Sequence, residues 1–173
     1  RREVTVMGKN NAFNAERAVE VILYSLSKGC CNMYNILKVI YFADKERLSM
    51  VGSTMFKESY AALKAGPVPS GSYDILKDIR DNRCPSYTGE IPLGFDHDDT
   101  NCVIGLRAPN TELLSRIDIK CLDKAIAEYG EMPFAKLRNI SHAQKDYNSV
   151  GLNEWIPFDS LVDSVDKDGK IKA

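Results

Sequence analysis

The sequence has no hydrophobic run long enough to cross a membrane as a helix, which takes about 18 consecutive apolar residues. The longest candidate, residues 36–43, contains Lys38 and is followed by Asp44. Neither charge is in excess, because 23 Lys and Arg residues are set against 24 Asp and Glu residues, for a net charge of −1. A near-neutral chain offers no broad basic face for phosphates, so the sequence predicts neither a membrane protein nor a dedicated nucleic-acid binder.

The chain also lacks the patterns that mark common catalytic and metal sites. It contains no P-loop, no G-x-G-x-x-G, no H-E-x-x-H, no G-x-S-x-G and no C-x-x-C. Its five cysteines, an odd number without metal-ligand spacing, indicate reduced thiols and a cytoplasmic protein. We therefore expect no enzymatic activity, no cofactor and no metal.

Histidine is scarce, and neither of the two histidines stands beside an identifiable nucleophile. His97 lies in the run Asp96–Asp99, which could bind a divalent cation through oxygen and imidazole ligands. A solvated hairpin tip is the favoured interpretation, because adjacent residues in a turn rarely all point inward. His142 follows a predicted helix, where a structural bond to free carbonyls is favoured over general base catalysis.

Length and composition predict a single domain. The chain has 173 residues, of which 44% are hydrophobic and 27% charged, values typical of a soluble globular protein. We expect one domain over residues 1–173, with a core at about 14–150 and flexible ends at 1–12 and 166–173. One domain of this length buries about 70% of the surface of its unfolded chain.

Apolar residues at helical spacing predict about six helices. They are expected near residues 14–29, 32–50, 70–81, 115–130, 133–140 and 152–162. Asn14 can cap the first helix, Gly52 ends the second, and Ser115 with Asp118 has the spacing of a capping box. The second helix is apolar on most sides, which is typical of a central helix. Its charged end, residues 44–47, is expected to reach solvent.

Extended structure is predicted in two places. Pro67 and Pro69 exclude a helix interior, so residues 53–69 are expected to form a short strand or extended turn. The helix that follows would be capped by Ser70 or Ser72. An antiparallel hairpin is predicted between residues 91–93 and 102–106, with the polar run after Phe95 as its loop. The predicted class is α+β, predominantly helical, with a small antiparallel β-hairpin.

Several short motifs stand in a specific order. The first stretch contains Ile40-Tyr41-Phe42-Ala43-Asp44, then Gly66-Pro67-Val68-Pro69, then Tyr73 near the start of a helix. The second runs from Tyr129-Gly130 through Leu137 to Ser141-His142. Together they resemble the Panacea domain, also called the SocA-like antitoxin domain, many of whose members are phage-associated proteins. In that family an acidic residue and an aromatic commonly follow, where this chain has Gln144 and Tyr147.

The resemblance implies the antitoxin of a toxin–antitoxin system. The family shares one domain across operons with very different toxins, including alarmone-synthetase-type, translation-blocking and membrane-active ones. It neutralises them by direct protein–protein binding, so the implied partner is a cognate toxin from the same operon. One member instead hands its toxin to a protease, which leaves a proteolytic adaptor as an alternative. A metal-dependent enzyme that uses His97 and His142 is a weaker one.

A partner surface is expected around the proline-framed turn and the charged end of the second helix. A rigid loop loses little entropy on binding, which favours recognition. The candidate partner-binding residues are Asp44, Arg47, Tyr60, Lys64, Gly66, Pro67, Val68 and Tyr73. For Tyr60 and Tyr73, packing of the turn onto the core is an equal alternative. The hairpin at residues 90–106 is the next candidate surface.

Overall fold

The computed structural model describes residues 12–84, 87 and 89–171. The helices are α1 (Ala15–Ser27), α2 (Met33–Val51), α3 (Ser70–Arg80), α4 (Arg116–Tyr129), α5 (Phe134–His142) and α6 (Phe158–Val165). The strands are β1 (Tyr60–Leu63), β2 (Gly66–Pro69), β3 (Leu93–Phe95), β4 (Val103–Gly105) and β5 (Trp155–Ile156). The fold is therefore α+β and predominantly helical, as predicted. The predicted flexible segment 1–12 lies outside the described residues, except for its last residue.

Local capping signals place the helix ends. The Asn14 side chain accepts a hydrogen bond from the Arg17 amide at 3.0 Å. Gly52 ends α2 with a φ of 77°, the left-handed conformation that a glycine adopts without a Cβ penalty. Ser115 and Asp118 form the reciprocal capping box at the start of α4. These three predictions are confirmed.

Helix α2 is central, as predicted from the apolar residues on most of its sides. It packs against α4, α5, α6 and β2. It also contributes to two hydrophobic clusters, one containing Ile36 and Ile40 and the other Tyr41 and Leu48. Both sides of the helix are thus covered by other elements, which fixes the positions of the side chains of α2.

Ile40→Ala is expected to destabilise the protein by about 2–5 kcal/mol, because the Ile40 side chain is fully buried and its truncation leaves a cavity. The free energy of unfolding measured by urea denaturation checks this. Ile104→Ala is the matched control, since Ile104 is 40% exposed. A loss below about 1 kcal/mol in Ile40→Ala would contradict the central position of α2.

The charged end of α2 reaches solvent only in part: Glu46 and Arg47 are partly exposed, and the prediction is wrong for Asp44 and Lys45. Asp44 and Lys45 are only 2% and 8% exposed. Each is buried with partners from distant parts of the chain, Asp44 with Tyr60 and Lys45 with Asp146. Paired charges tolerate burial because the partner replaces the lost hydration.

The proline-containing segment is a strand rather than a turn. Strand β2 pairs antiparallel with β1, and β5 pairs with the other side of β1, which gives the order β2-β1-β5. The turn itself is formed by Lys64 and Ala65. Prolines are tolerated here because β2 is at the edge of the sheet, where an absent N–H costs no ladder bond.

Glu58, and not Ser70 or Ser72, caps α3. The Glu58 carboxylate accepts hydrogen bonds from the Gly71 and Ser72 amides at 2.8 and 2.9 Å. Ser70 is already the first helical residue, and the Ser72 hydroxyl donates to Glu58 at 2.9 Å. A carboxylate at this position also interacts favourably with the helix dipole. The capping group predicted to be a serine at the helix start is therefore a glutamate twelve positions upstream of it.

The hairpin predicted between residues 91–93 and 102–106 is present, in addition to the β1–β2 hairpin. Strands β3 and β4 pair antiparallel, with Gly94 opposite Ile104. An isolated bridge between Asn32 and Cys102 joins this hairpin to the start of α2.

At the other end of the chain, Asp166 accepts hydrogen bonds from the Lys170 and Ile171 amides, so the described part of the tail turns back after α6.

Candidate functional site

Asp44 and Tyr60, two predicted partner-binding residues, lie inside the protein. The Tyr60 hydroxyl donates to Asp44 Oδ2 at 2.6 Å, and the Met55 amide donates to Asp44 Oδ1 at 2.8 Å. Burial raises the pKa of the Asp44 carboxyl to about 6 and raises that of Tyr60 as well. In this conformation both side chains tie α2 to β1 and its preceding loop, and neither is available to a partner.

Arg47 has a similar internal role. Its Nε donates to Asp118 Oδ1 at 2.7 Å, and its guanidinium also donates to the backbone carbonyls of Ser53 and Thr54. The Arg47 side chain is 15% exposed and that of Asp118 only 1%. Arg47 therefore links the end of α2 to the start of α4 and to the loop before β1.

The β1–β2 hairpin is held by side chains that donate to its backbone carbonyls. Tyr34 Oη donates to Ala65 O at 2.7 Å, and Lys38 Nζ donates to Pro67 O at 2.8 Å. On the other side, His142 Nε2 lies 2.8 Å from Lys64 O and Tyr147 Oη donates to Leu63 O at 2.8 Å. Because a carbonyl only accepts, the Nε2 atom of His142 carries the proton.

Gly66 stands where no larger residue fits. Its φ is 117°, and a Cβ there would lie 2.5 Å from the Ser141 hydroxyl oxygen. Gly66, Pro67 and Val68 are all buried, while Lys64 at the turn is exposed. Of the four residues Lys64, Gly66, Pro67 and Val68, only Lys64 presents its side chain to solvent, and the other three pack the hairpin against α2 and α5.

Lys38, one of the residues that hold the hairpin, makes folding stability dependent on pH. Its side chain is fully buried and its ammonium lies 4.7 Å from the centre of the Tyr34 ring. Desolvation lowers the pKa of Lys38 to about 7, from an ordinary value of 10.5. Between these pH values the unfolded chain binds a proton that the folded chain has released, so folding stability rises with pH.

The expected result is a difference between the wild type and Lys38→Met. Relative to that variant, the wild type should gain about 2 kcal/mol of stability between pH 7 and pH 9, since one pKa unit corresponds to about 1.4 kcal/mol. Urea denaturation at the two pH values measures this. Parallel stability profiles for the two proteins would mean that Lys38 does not titrate in this range.

A second buried cluster joins α2 to the segment after α5. Asp146 accepts hydrogen bonds from the Tyr41 hydroxyl at 2.7 Å and from Lys45 Nζ at 2.7 Å. Lys45 also donates to the Gln144 side-chain oxygen at 2.9 Å. The acid that neutralises Lys45 is thus Asp146, two residues after the position at which the family pattern has its acidic residue.

A cleft of about 600 Å³ opens beside the hairpin, between the start of α2, α3 and the start of α5. Its lining includes Met33, Tyr34, Tyr73, Arg80, Met132 and Phe134. The rings of Tyr34 and Phe134 lie 4.6 Å apart, and Phe134 is 55% exposed. We refer to these six residues as the aromatic cleft. Tyr34 belongs both to the cleft and to the hairpin attachment, so the two features share one support.

Sequence reasoning identified only Tyr73 of the aromatic cleft. It is partly exposed, and the Lys77 ammonium lies over its ring at 5.7 Å. Tyr34, Arg80 and Phe134 carry no motif and lie far apart in sequence. The exposed aromatic Phe134 directly after Pro133, at a helix start, is the one local signal that could have drawn attention to this face.

The two histidines do not form a common site. The His97 side chain is fully exposed, in the loop between β3 and β4. His142 is occupied by the hairpin backbone, as described above. Within the described part of the chain, no group of three or more His, Cys, Asp or Glu side chains is arranged to hold a metal ion. Nor does any described helix have the length and apolar character to cross a membrane.

Comparison with known proteins identifies a family. The family model described as Antitoxin SocA-like, Panacea domain matches residues 36–147, which include all but the first turn of α2, both hairpins, α3, α4 and α5. No curated protein and no solved structure matches the chain. The matched segment starts later than the resemblance implied, and it still spans more than half of the 173 residues. The chain belongs to the SocA-like antitoxin family and carries its Panacea domain.

Proposed function

We propose that this protein is the antitoxin of a toxin–antitoxin pair and neutralises its toxin by direct binding. Membership of the SocA-like antitoxin family is the observation that carries the proposal. The partner is a toxin encoded in the same operon, and the role is binding rather than catalysis. The geometry is compatible with this role, because a binding module needs a rigid frame and a partner-specific surface.

The β1–β2 hairpin is the rigid frame of this binding module. Side chains from α2, α5 and the segment after α5 bond four of its carbonyls, at Leu63, Lys64, Ala65 and Pro67. A surface fixed in this way loses little conformational entropy when a partner binds. Asp44, Arg47, Tyr60, Gly66, Pro67 and Val68 act as internal supports in this proposal, which changes their role from contact residues to residues that position the surface.

The contact surface is the aromatic cleft together with the exposed Lys64, which precedes the Ala65 whose carbonyl accepts from Tyr34 of the cleft. Its lining is rich in tyrosine, phenylalanine, methionine and arginine, the residue types enriched at protein interfaces and at their energetic hot spots. Arg80 offers a guanidinium for a carboxylate of the toxin, and Tyr34 with Phe134 offers a ring pair for an apolar side chain. Tyr73, a candidate partner-binding residue from the sequence, lines this proposed surface.

The test is reconstitution with the neighbouring gene product. The full chain and the toxin are purified separately, mixed, and analysed by size-exclusion chromatography and calorimetry, while rescue of toxin-expressing cells is scored in parallel. Direct neutralisation predicts a stable complex and an unchanged toxin level in rescued cells. Rescue with a falling toxin level that depends on a protease would support the adaptor alternative instead. Rescue without any complex would contradict direct binding.

A further inference from the structure

Cys31 and Cys102 are neighbours where the loop before α2 meets β4. The Val103 amide donates to the Cys31 carbonyl at 2.8 Å, and the Met33 amide donates to the Asn101 carbonyl at 2.8 Å. These two bonds flank the isolated bridge between Asn32 and Cys102. The backbones on both sides of the two cysteines are therefore fixed relative to each other.

The side chains of Cys31 and Cys102 also interact with each other. The Cys31 and Cys102 side chains are hydrogen-bonded, and this bond, with partial burial, raises the pKa of the Cys102 thiol to about 11. Cys31 is exposed and Cys102 is partly exposed, so a small reagent reaches Cys31 first. Cysteines one position out of register on two bonded backbone segments lie at about the 4.4–6.8 Å Cα separation that a disulfide spans.

The remaining cysteines do not compete for this pairing. Cys30 is 1% exposed, so a reagent in solution does not reach its thiol. Cys121 is equally buried and contacts the Met50 sulfur. Cys84 is exposed but lies in a different part of the structure, after α3.

We propose that Cys31 and Cys102 form a redox-active dithiol that a small-molecule disulfide, such as oxidised glutathione, converts into an intramolecular disulfide. The Cys31 thiolate attacks one glutathione sulfur, the glutathione S–S bond breaks, and one glutathione leaves as a thiolate. The Cys102 thiolate then attacks the Cys31 sulfur and releases the second glutathione. The two cysteines lose two protons and two electrons in total, and the two glutathione molecules gain them.

The position of this disulfide gives it a consequence for the surface. Asn32 and Asn101, the residues beside the two cysteines, both line the same cleft as Phe134. Closing the disulfide would lock the β3–β4 hairpin to the start of α2 and fix this wall of the cleft. The proposal itself concerns the thiols and does not depend on the antitoxin role.

The experiment uses the purified full chain, incubated with oxidised glutathione and then alkylated, digested and analysed by mass spectrometry. We expect a cross-linked peptide pair that contains Cys31 and Cys102, and a fall from five to three free thiols in the denatured protein. Excess reduced glutathione should restore all five. Cys30→Ala assigns the bond to Cys31 rather than its neighbour and should leave the result unchanged, as should Cys84→Ser.

Other outcomes overturn the proposal. Cys31→Ser and Cys102→Ser should each abolish the cross-link and leave a glutathionylated cysteine at most. Five free thiols after oxidation, a cross-link that survives in either variant, or a bond between two chains would show that the pair is not a dithiol site. Because the wild-type measurement stands on its own, misfolding of a variant would not rescue the proposal.

Discussion

Replacing Asp146 by alanine is expected to destabilise the protein by about 3–5 kcal/mol, a large part of the total stability of a typical domain. The Asp146 side chain is fully buried and accepts hydrogen bonds from the Tyr41 hydroxyl and from Lys45. Its removal leaves Lys45, itself only 8% exposed, as an uncompensated buried charge. Breaking a buried pair in this way costs more than the pair contributes, because the desolvation of the remaining ion is no longer offset.

Urea denaturation at pH 7 measures the effect. Asp146→Asn keeps an acceptor for Tyr41 but loses the charge, so its loss should be smaller than that of the alanine variant. Asp98→Ala is the control for removal of a carboxylate in the open, since the Asp98 side chain is fully exposed, and it should change stability by less than about 0.5 kcal/mol. A loss below about 1 kcal/mol in Asp146→Ala would mean that Lys45 finds solvent or another partner without it.

The helices could be predicted from sequence because their signals are local. Apolar spacing, the Asn14 cap, the Ser115–Asp118 box and Gly52 all act within one or two turns. The buried charges could not be predicted, since Asp146 lies 105 residues from Tyr41. A charged run on a helix is normally a solvated face, and only the folded chain reveals which distant partner covers it.

The motifs that carried the family resemblance turn out to build the fold. Tyr41 bonds Asp146, Asp44 bonds Tyr60, His142 bonds the Lys64 carbonyl, and Gly66 allows close contact with Ser141. These residues point inward, so the resemblance predicts the frame well and the contact surface poorly.

The aromatic cleft could not be predicted from the sequence, because its residues are far apart along the chain. Tyr34, Arg80 and Phe134 come from the starts or ends of three helices, and only the tertiary packing brings them to one place. Tyr34 and Phe134 have no cleft residue at helical spacing on their own helices, whereas Arg80 lies seven residues after Tyr73 on one face of α3. Tyr73 was identified because it stands beside the proline motif.

Phe134→Glu is expected to weaken toxin binding by about 100–1000-fold, or about 2.7–4 kcal/mol, and to abolish rescue of toxin-expressing cells. The substitution removes an exposed ring that packs against the Tyr34 ring and puts a carboxylate into the cleft, where binding would have to desolvate it. The fold should be unaffected, because Phe134 is 55% exposed and belongs to neither hydrophobic cluster.

Phe158→Glu is the matched control for this prediction. Phe158 is also the first residue of a helix and is 53% exposed, but it does not line the aromatic cleft. The two variants are compared by circular dichroism, by calorimetric titration with the toxin and by cell rescue. We expect the control to bind and rescue as the wild type does. If Phe134→Glu also keeps full affinity, the toxin binds elsewhere, and if only Phe158→Glu loses affinity, the contact surface lies at the start of α6. The comparison is decisive because a charge buried at the centre of a specific interface weakens binding, whereas the same charge outside the interface does not.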